Sequence, residues 1–228
     1  LIVVVSTVLP GNMEILKKYF ELNNEQETKF SKIQSIYKEW NSRINLISRK
    51  DIDNLAERHI LHALGIAKII QFKEKTTILD VGTGGGFPGI PLAIMFPECR
   101  FHLIDSIGKK INAVNAICNE LEISNVTTAQ ERVENIKEKF DFVVSRAVAE
   151  LPVFYTWVNN KILQKGFNDI PNGILYLKGG TIEPEIMAVK RNKYSKKTYS
   201  RSWFRVYSLS EYFFEEFFLT KSIVHIYG

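Results

Sequence analysis

One stretch limits what this chain can fold into more than any other: Thr76-Thr77-Ile78-Leu79-Asp80-Val81-Gly82-Thr83-Gly84-Gly85-Gly86-Phe87-Pro88-Gly89-Ile90-Pro91. It opens on a β-branched and apolar run, the signature of a buried strand. Four glycines follow between positions 82 and 86. Glycine enters φ > 0 without steric cost and lets a ligand come close to the backbone. Pro88 then stands where a helix should start, with a pre-set φ and no N–H to leave unpaired. Strand, glycine loop and helix N-terminus in this order form the nucleotide site of an α/β sheet.

Gly84, Gly86 and Gly89 match the dinucleotide pattern G-x-G-x-x-G, which alone is a weak signal. Asp80, two residues ahead of the first glycine, argues for a different ligand. A carboxylate there faces a pyrophosphate badly but suits a cation such as S-adenosylmethionine, whose amino and sulfonium groups are positive. Asp105 ends the next apolar strand, Phe101-His102-Leu103-Ile104, where an acid accepts hydrogen bonds from ribose hydroxyls.

Four segments in order carry a closer likeness: Asp80-Val-Gly-Thr-Gly-Gly-Gly-Phe-Pro-Gly-Ile-Pro, Asp105-Ser-Ile-Gly-Lys-Lys, Ser145-Arg-Ala-Val-Ala and Leu177-Lys-Gly. From about Trp40 to Gly180 the chain closely resembles the glucose-inhibited division protein B family. The resemblance implies an S-adenosylmethionine-dependent methyltransferase that makes N7-methylguanine in small-subunit (16S) ribosomal RNA. It also implies that Asp80, Gly82, Gly84, Gly86, Phe87 and Asp105 line the cofactor.

The chain has 228 residues, 45% of them hydrophobic, enough for one large domain with a packed core. A net charge of +5 and a pI near 9.0 are a mild pointer to a polyanionic partner. The two cysteines, Cys99 and Cys118, make neither a metal site nor a disulfide framework, so no metal and a reducing, cytoplasmic setting are expected. No apolar run reaches membrane length, and a monomer is expected. Residues 1–12 read as a non-native or unstructured leader, with Met13 a candidate start. Residues 13–72 are expected to form an N-terminal helical extension packed over the site, and 73–228 the methyltransferase domain.

Phe30, Ile33, Tyr37, Trp40 and Ile44 recur at three- and four-residue steps, one face of a helix. Asp51 or Asp53 is placed to cap a second helix carrying Leu55, His59, His62, Ile66 and Ile69. Beyond it the pattern alternates. Strands are expected at 76–81, 100–104, 125–129, 140–145 and 173–178, with helices at about 88–96, 107–121, 149–164 and 182–189. Such alternation predicts a doubly wound, mostly parallel sheet with right-handed crossovers. Residues 196–207 and 219–227 read as two more strands. By resemblance they are the C-terminal antiparallel pair of a class I, Rossmann-like methyltransferase fold.

Ligands of such sheets bind beyond the carboxyl ends of the strands. The fourth strand delivers Arg146 to that edge, and the third ends near Arg132, Val133 and Glu134. Val133 and Glu134 are candidates to bracket an adenine. In the resembled family this stretch contacts the cofactor, and Arg132 would then face the substrate. Glu134 also reads as an acid on a helix dipole, and both arginines as surface ion-pair partners. Arg146 and Arg132 are the candidate catalytic residues, with Arg146 also at the cofactor.

Guanine N7 carries a free lone pair, so methylation there needs no general base. It needs two atoms held close and in line. An arginine donating to N7 would occupy the attacking lone pair, so a catalytic arginine is expected on O6 or phosphate. The slot after the fourth strand, Ser145-Arg146-Ala147-Val148, lacks the Asn/Asp-Pro-Pro-aromatic motif of exocyclic-amine enzymes.

Lys178, Arg58, Lys196, Lys197 and Arg201 are the candidate RNA contacts. The last three belong to a run, Lys190 to Arg205, that has seven basic residues, no acid and interleaved aromatic rings. That composition suits single-stranded RNA, and it also suits a solvated strand edge guarded by charge. Lys178, at a strand end, reads equally as a solvated lysine. His59 and its neighbours read as core or cap, or as a reach over the site. Competing functions are an NAD-type oxidoreductase, for which no catalytic constellation is evident, and a non-catalytic RNA-binding module.

Overall fold

A computed structural model describes residues 11–191 and 203–228. Its centre is a seven-stranded sheet in the order β3-β2-β1-β4-β5-β7-β6. The strands are β1 (Thr77–Val81), β2 (Arg100–Asp105), β3 (Val126–Gln130), β4 (Phe142–Arg146), β5 (Gly173–Gly179), β6 (Trp203–Ser208) and β7 (Lys221–Tyr227). The first five run parallel, and β7 pairs antiparallel with both β5 and β6.

Central strands are apolar because both faces are covered. Leu79 and Val143 pack on one side of the sheet, Ile78 and Phe142 on the other, all buried. The order reverses between β1 and β4, so their carboxyl ends open a crevice there. The expected strands all form. The part of the last pair that was expected at 196–202, with Lys196, Lys197 and Arg201, lies outside the described residues, as do residues 1–10 of the expected leader.

The N-terminal helices are α1 (Gly11–Lys17), α2 (Asn24–Arg43) and α3 (His62–Ile69). Asn23 and Gln26 start α2 with a reciprocal capping box. Phe30, Ile33, Tyr37 and Asn41, spaced by one helical turn, are its buried face. Trp40 is only half-buried and donates to Glu120 of α5 (Gly108–Glu120).

The second helix departs from expectation. A 3₁₀ turn, Ile52–Asn54, is followed by a π-helix, Ala56–Leu61, before α3 begins. Neither Asp51 nor Asp53 caps it. Asp51 accepts from Arg58 at 2.8 Å and Asp53 pairs with Lys38 of α2 at 2.8 Å. Two carboxylates that read as cap residues thus serve tertiary ion pairs. The remaining helices are α4 (Gly89–Met95), α6 (Leu151–Val158) and α7 (Glu183–Arg191). The stretch expected to be helical over 149–164 shortens to α6 and one 3₁₀ turn, Asn159–Lys161. Among the described residues no helix is long and apolar enough to cross a membrane.

Candidate functional site

The carboxyl ends of β1, β2, β3 and β4 meet at a cleft of about 450 Å³. Ligand sites fall in the range of about 300–1,000 Å³. Its floor is the glycine loop. Gly82, Gly84 and Gly86 have φ of +65°, +59° and +90°, a region that L side chains rarely adopt. A Cβ on Gly82 would stand 2.6 Å from Val148 Cγ2, and one on Gly86 2.5 Å from Ile90 Cδ1. Gly82 and Gly86 are therefore required by both backbone and space, and Gly84 by backbone alone.

Two carboxylates hold this loop, and they differ. Asp105 lines the cleft: one oxygen accepts from Gly84 N at 3.0 Å and the other from Ile107 N at 2.9 Å. Asp80 is fully buried beneath the loop and is not among the residues facing the cleft. Its Oδ2 accepts from Thr83 Oγ1 at 2.6 Å and from Gly89 N at 2.9 Å, tying the loop to α4. Its Oδ1 is buried without a partner. The direct grip on a ligand expected of Asp80 is thus replaced by a brace under the turn.

Burial, only partly offset by Thr83 and Gly89, lifts the Asp80 carboxyl to about 7. A folded-state pKa above the unfolded value stabilises below about pH 4, and that stabilisation is lost as pH rises through 7. Asp80→Asn has no such slope. Relative to the parent it should therefore gain stability, on the order of a few kcal/mol, between pH 4.5 and 8. Urea unfolding at the two pH values measures the difference; a constant difference would show an ordinary carboxylate.

Arg146 projects from the end of β4 into the cleft. Its guanidinium donates to the Arg58 carbonyl at 3.2 Å and to His59 Nδ1 at 2.9 Å, and lies 5.2 Å from the Phe87 ring centroid. Burial pulls its pKa down to about 10, so it stays a cation at neutral pH. Burial, with the Arg146 charge second, pushes His59 down to about 3, leaving a neutral imidazole whose Nδ1 accepts. The π-helix brings the Arg58 carbonyl and the His59 ring to one cation. Sequence reasoning left His59 between core and site; its place on an apolar helix face gave no sign of the arginine beyond.

The segment after Arg146 is also pinned. Ala147 takes φ +54°, and the Tyr176 hydroxyl accepts from Val148 N and Ala149 N while donating to Ala149 O at 2.6 Å. Val148 thereby sits over Gly82. On the opposite wall, Tyr37 of α2 donates to Gly85 O at 2.6 Å and Leu46 packs on Gly85. Tyr37 and Leu46, from the N-terminal helical segment, thus cover the loop.

Gly82, Gly84, Phe87, Asp105, Arg132, Val133, Glu134 and Arg146 all line the cleft. Gly86 lies just behind, turning the chain inward. Lys178 and Arg58 lie outside. Lys178 pairs with Glu185 at 2.8 Å, and Arg58 with Asp51. Leu46, which with Asn45 resembles a family stretch expected to reach over the site, also lines the cleft, whereas Lys110 and Trp157 line it without having been named as candidates. Neither cysteine is a candidate nucleophile. Both are buried, and burial raises Cys99 to about 11 and Cys118 to about 12.

Comparison with known proteins agrees with this geometry. Residues 26–207 match the family model described as rRNA small subunit methyltransferase G. A protein of that name from Cytophaga hutchinsonii is 51% identical over 215 residues, covering 94% of this chain and 99% of its own. One from Bacteroides thetaiotaomicron is 50% identical over 214 residues, covering 93% and 98%. Among solved structures, an S-adenosylmethionine-dependent methyltransferase from Aquifex aeolicus superposes with a TM-score of 0.56 at 16% identity, covering 80% of this chain and all of that one. MtNAS in complex with MTA and tNA superposes at 0.55 and 14% identity, covering 95% and 75%. At such identities the two structures share the fold alone.

Proposed function

This chain belongs to the rRNA small subunit methyltransferase G family, and from that premise we propose that it transfers a methyl group from S-adenosylmethionine to N7 of a guanine in small-subunit ribosomal RNA. The observation that supports this most is the cleft itself: a loop of glycines with positive φ, an acid at the β2 end, and a fixed arginine at the β4 end.

The residues suit the cofactor. Asp105 is placed to accept ribose hydroxyls, Val133 and Glu134 to flank an adenine, and the loop N–H groups to receive a carboxylate. A cation bound above the turn would favour the ionised form of the Asp80 carboxyl, whose Oδ1 is buried without a partner. The bound cofactor supplies an electrophilic methyl group. The chain's part is then to hold the target base against it and exclude water. Arg146, already braced by His59 and Arg58, keeps unused N–H donors of its five for a guanine O6 or a phosphate. N7 must stay bare, so no proton acceptor is needed, and a neutral His59 is consistent with that. Arg132, exposed at the cleft wall, is the second candidate contact to substrate. The proposal extends to the 30S particle as the form bound and to a monomer acting in the cytoplasm.

The test is methyl transfer from labelled cofactor to 30S subunits and to naked 16S RNA, followed by nucleoside analysis. N7-methylguanosine is expected, and its absence from the product would overturn the reading. Asp105→Ala should weaken S-adenosylhomocysteine binding by about 1–3 kcal/mol, the cost of unpaired polar groups. Calorimetry reads this directly, and an unchanged dissociation constant would remove Asp105 from the site.

A further inference from the structure

Of the candidate RNA contacts, Arg58 and Lys178 lie within the described residues, and Lys196, Lys197 and Arg201 lie outside them. Arg58 and Lys178 are each held by an acid. A different segment, the six residues Leu46-Ile47-Ser48-Arg49-Lys50-Asp51 between α2 and the 3₁₀ turn, leaves the cleft wall at Leu46 and is fixed at both ends.

At one end, Leu46 lines the cleft and packs against Gly85; a Cβ on that glycine would meet Leu46 Cβ at 3.1 Å. The backbone N–H groups of Leu46 and Ile47 both donate to the buried Asn41 side chain, at 2.9 and 3.0 Å. At the other end, Asp51 holds Arg58, and the Arg58 carbonyl holds Arg146. The segment therefore joins the glycine loop to the arginine at the end of β4.

Between these anchors Ser48, Arg49 and Lys50 are exposed. Neither Arg49 nor Lys50 enters an ion pair among the described residues. The acids that follow do not neutralise them, because Asp51 is occupied by Arg58 and Asp53 by Lys38. Two uncompensated cations are thus carried on a short segment fixed at both ends, beside the place where a substrate base must enter. A solvated surface pair would need no such fixing. A phosphate clamp does, because a contact sets the register of a strand only if its position is fixed.

We propose that Arg49 and Lys50 hold backbone phosphates of unpaired RNA flanking the target nucleotide. This inference rests on the methyltransferase reading and adds the substrate-positioning surface to it. Arg49 and Lys50 are positioning residues: they touch the substrate strand, away from the reacting atoms.

The experiment compares the parent, the double variant Arg49→Ala/Lys50→Ala, the conservative Arg49→Lys, and Lys165→Ala as a control at the opposite end of the sheet. Each is assayed for methyl transfer to 30S subunits, for S-adenosylhomocysteine binding, and for RNA affinity as a function of salt. The double variant should raise the RNA KM about tenfold or more, with kcat and the cofactor dissociation constant unchanged. Its log–log salt slope should fall by about 1.4, since each lost single-strand phosphate contact removes about 0.7. Arg49→Lys should restore most of the affinity, and Lys165→Ala should behave as the parent. An unchanged KM and slope in the double variant would overturn the clamp, as would a loss of cofactor binding, which would mark the segment as structural. A parent that methylates no RNA would instead overturn the methyltransferase reading, and the clamp with it.

Discussion

Replacing Arg146 by alanine is expected to lower kcat/KM for methyl transfer by about 10²–10³-fold, the usual loss when one fixed charged donor is removed from a reacting site. The side chain is half-buried, stays positive at neutral pH, and is bonded to the Arg58 carbonyl and His59. Cofactor affinity should change far less, since Asp105 and the loop are untouched. Arg146→Lys should not restore activity, because one ammonium cannot copy a planar fork that holds two partners and still offers donors to substrate. Single-turnover rates with saturating cofactor measure the step. A rate within a few-fold of the parent would assign Arg146 to packing over Phe87 instead.

Gly86→Ala should have the second large effect, on stability. At φ +90° an L side chain is strained by about 1–2 kcal/mol. The added methyl would also meet Ile90 Cδ1 at 2.5 Å and the Tyr37 hydroxyl at 3.1 Å. Overpacking costs about 1–3 kcal/mol more. A total of about 2–5 kcal/mol corresponds to a melting temperature lower by roughly 4–20 °C for a chain of this size. The Tyr37–Gly85 bond breaks with it, so the helical extension should lose its hold on the loop. Thermal unfolding with and without S-adenosylhomocysteine tests both points. A melting temperature within a degree or two of the parent would mean that the loop adapts freely.

The sheet was legible because each layer of it leaves a local trace. Buried strands such as 77–81 and 142–146 are apolar on both faces, and the helices between them carry one apolar side. The cleft was legible for the same reason: glycines with positive φ and acids at strand ends are tied to chain position. The N-terminal cover was less so. Six residues are too few for the wider i→i+5 turn of a π-helix to show against an α-helical pattern, so the turn that presents Arg58 O and His59 to Arg146 was invisible. Asp51 looked like a cap because the local signal for a cap is a lone acid before a helix, and its true partner lies seven residues on. Asp80 had the right position for a ligand contact, but burial depth is a tertiary property, and the sequence does not carry it.

The arrangement of the last two strands has a consequence for how the chain matures. β7 lies between β5 and β6, although it is made after both. While synthesis passes residues 203–208, their one sheet neighbour among the described residues does not yet exist, and the edge of β5 stays open. Tyr19, just after α1, hydrogen-bonds Glu215 and packs on Phe213, so these contacts close only when nearly two hundred further residues have been made. Such long-range pairing is slow. The growing chain should therefore be most prone to self-association in that interval, and a nascent chain halted before residue 221 should be captured by chaperones more readily than one that has passed it.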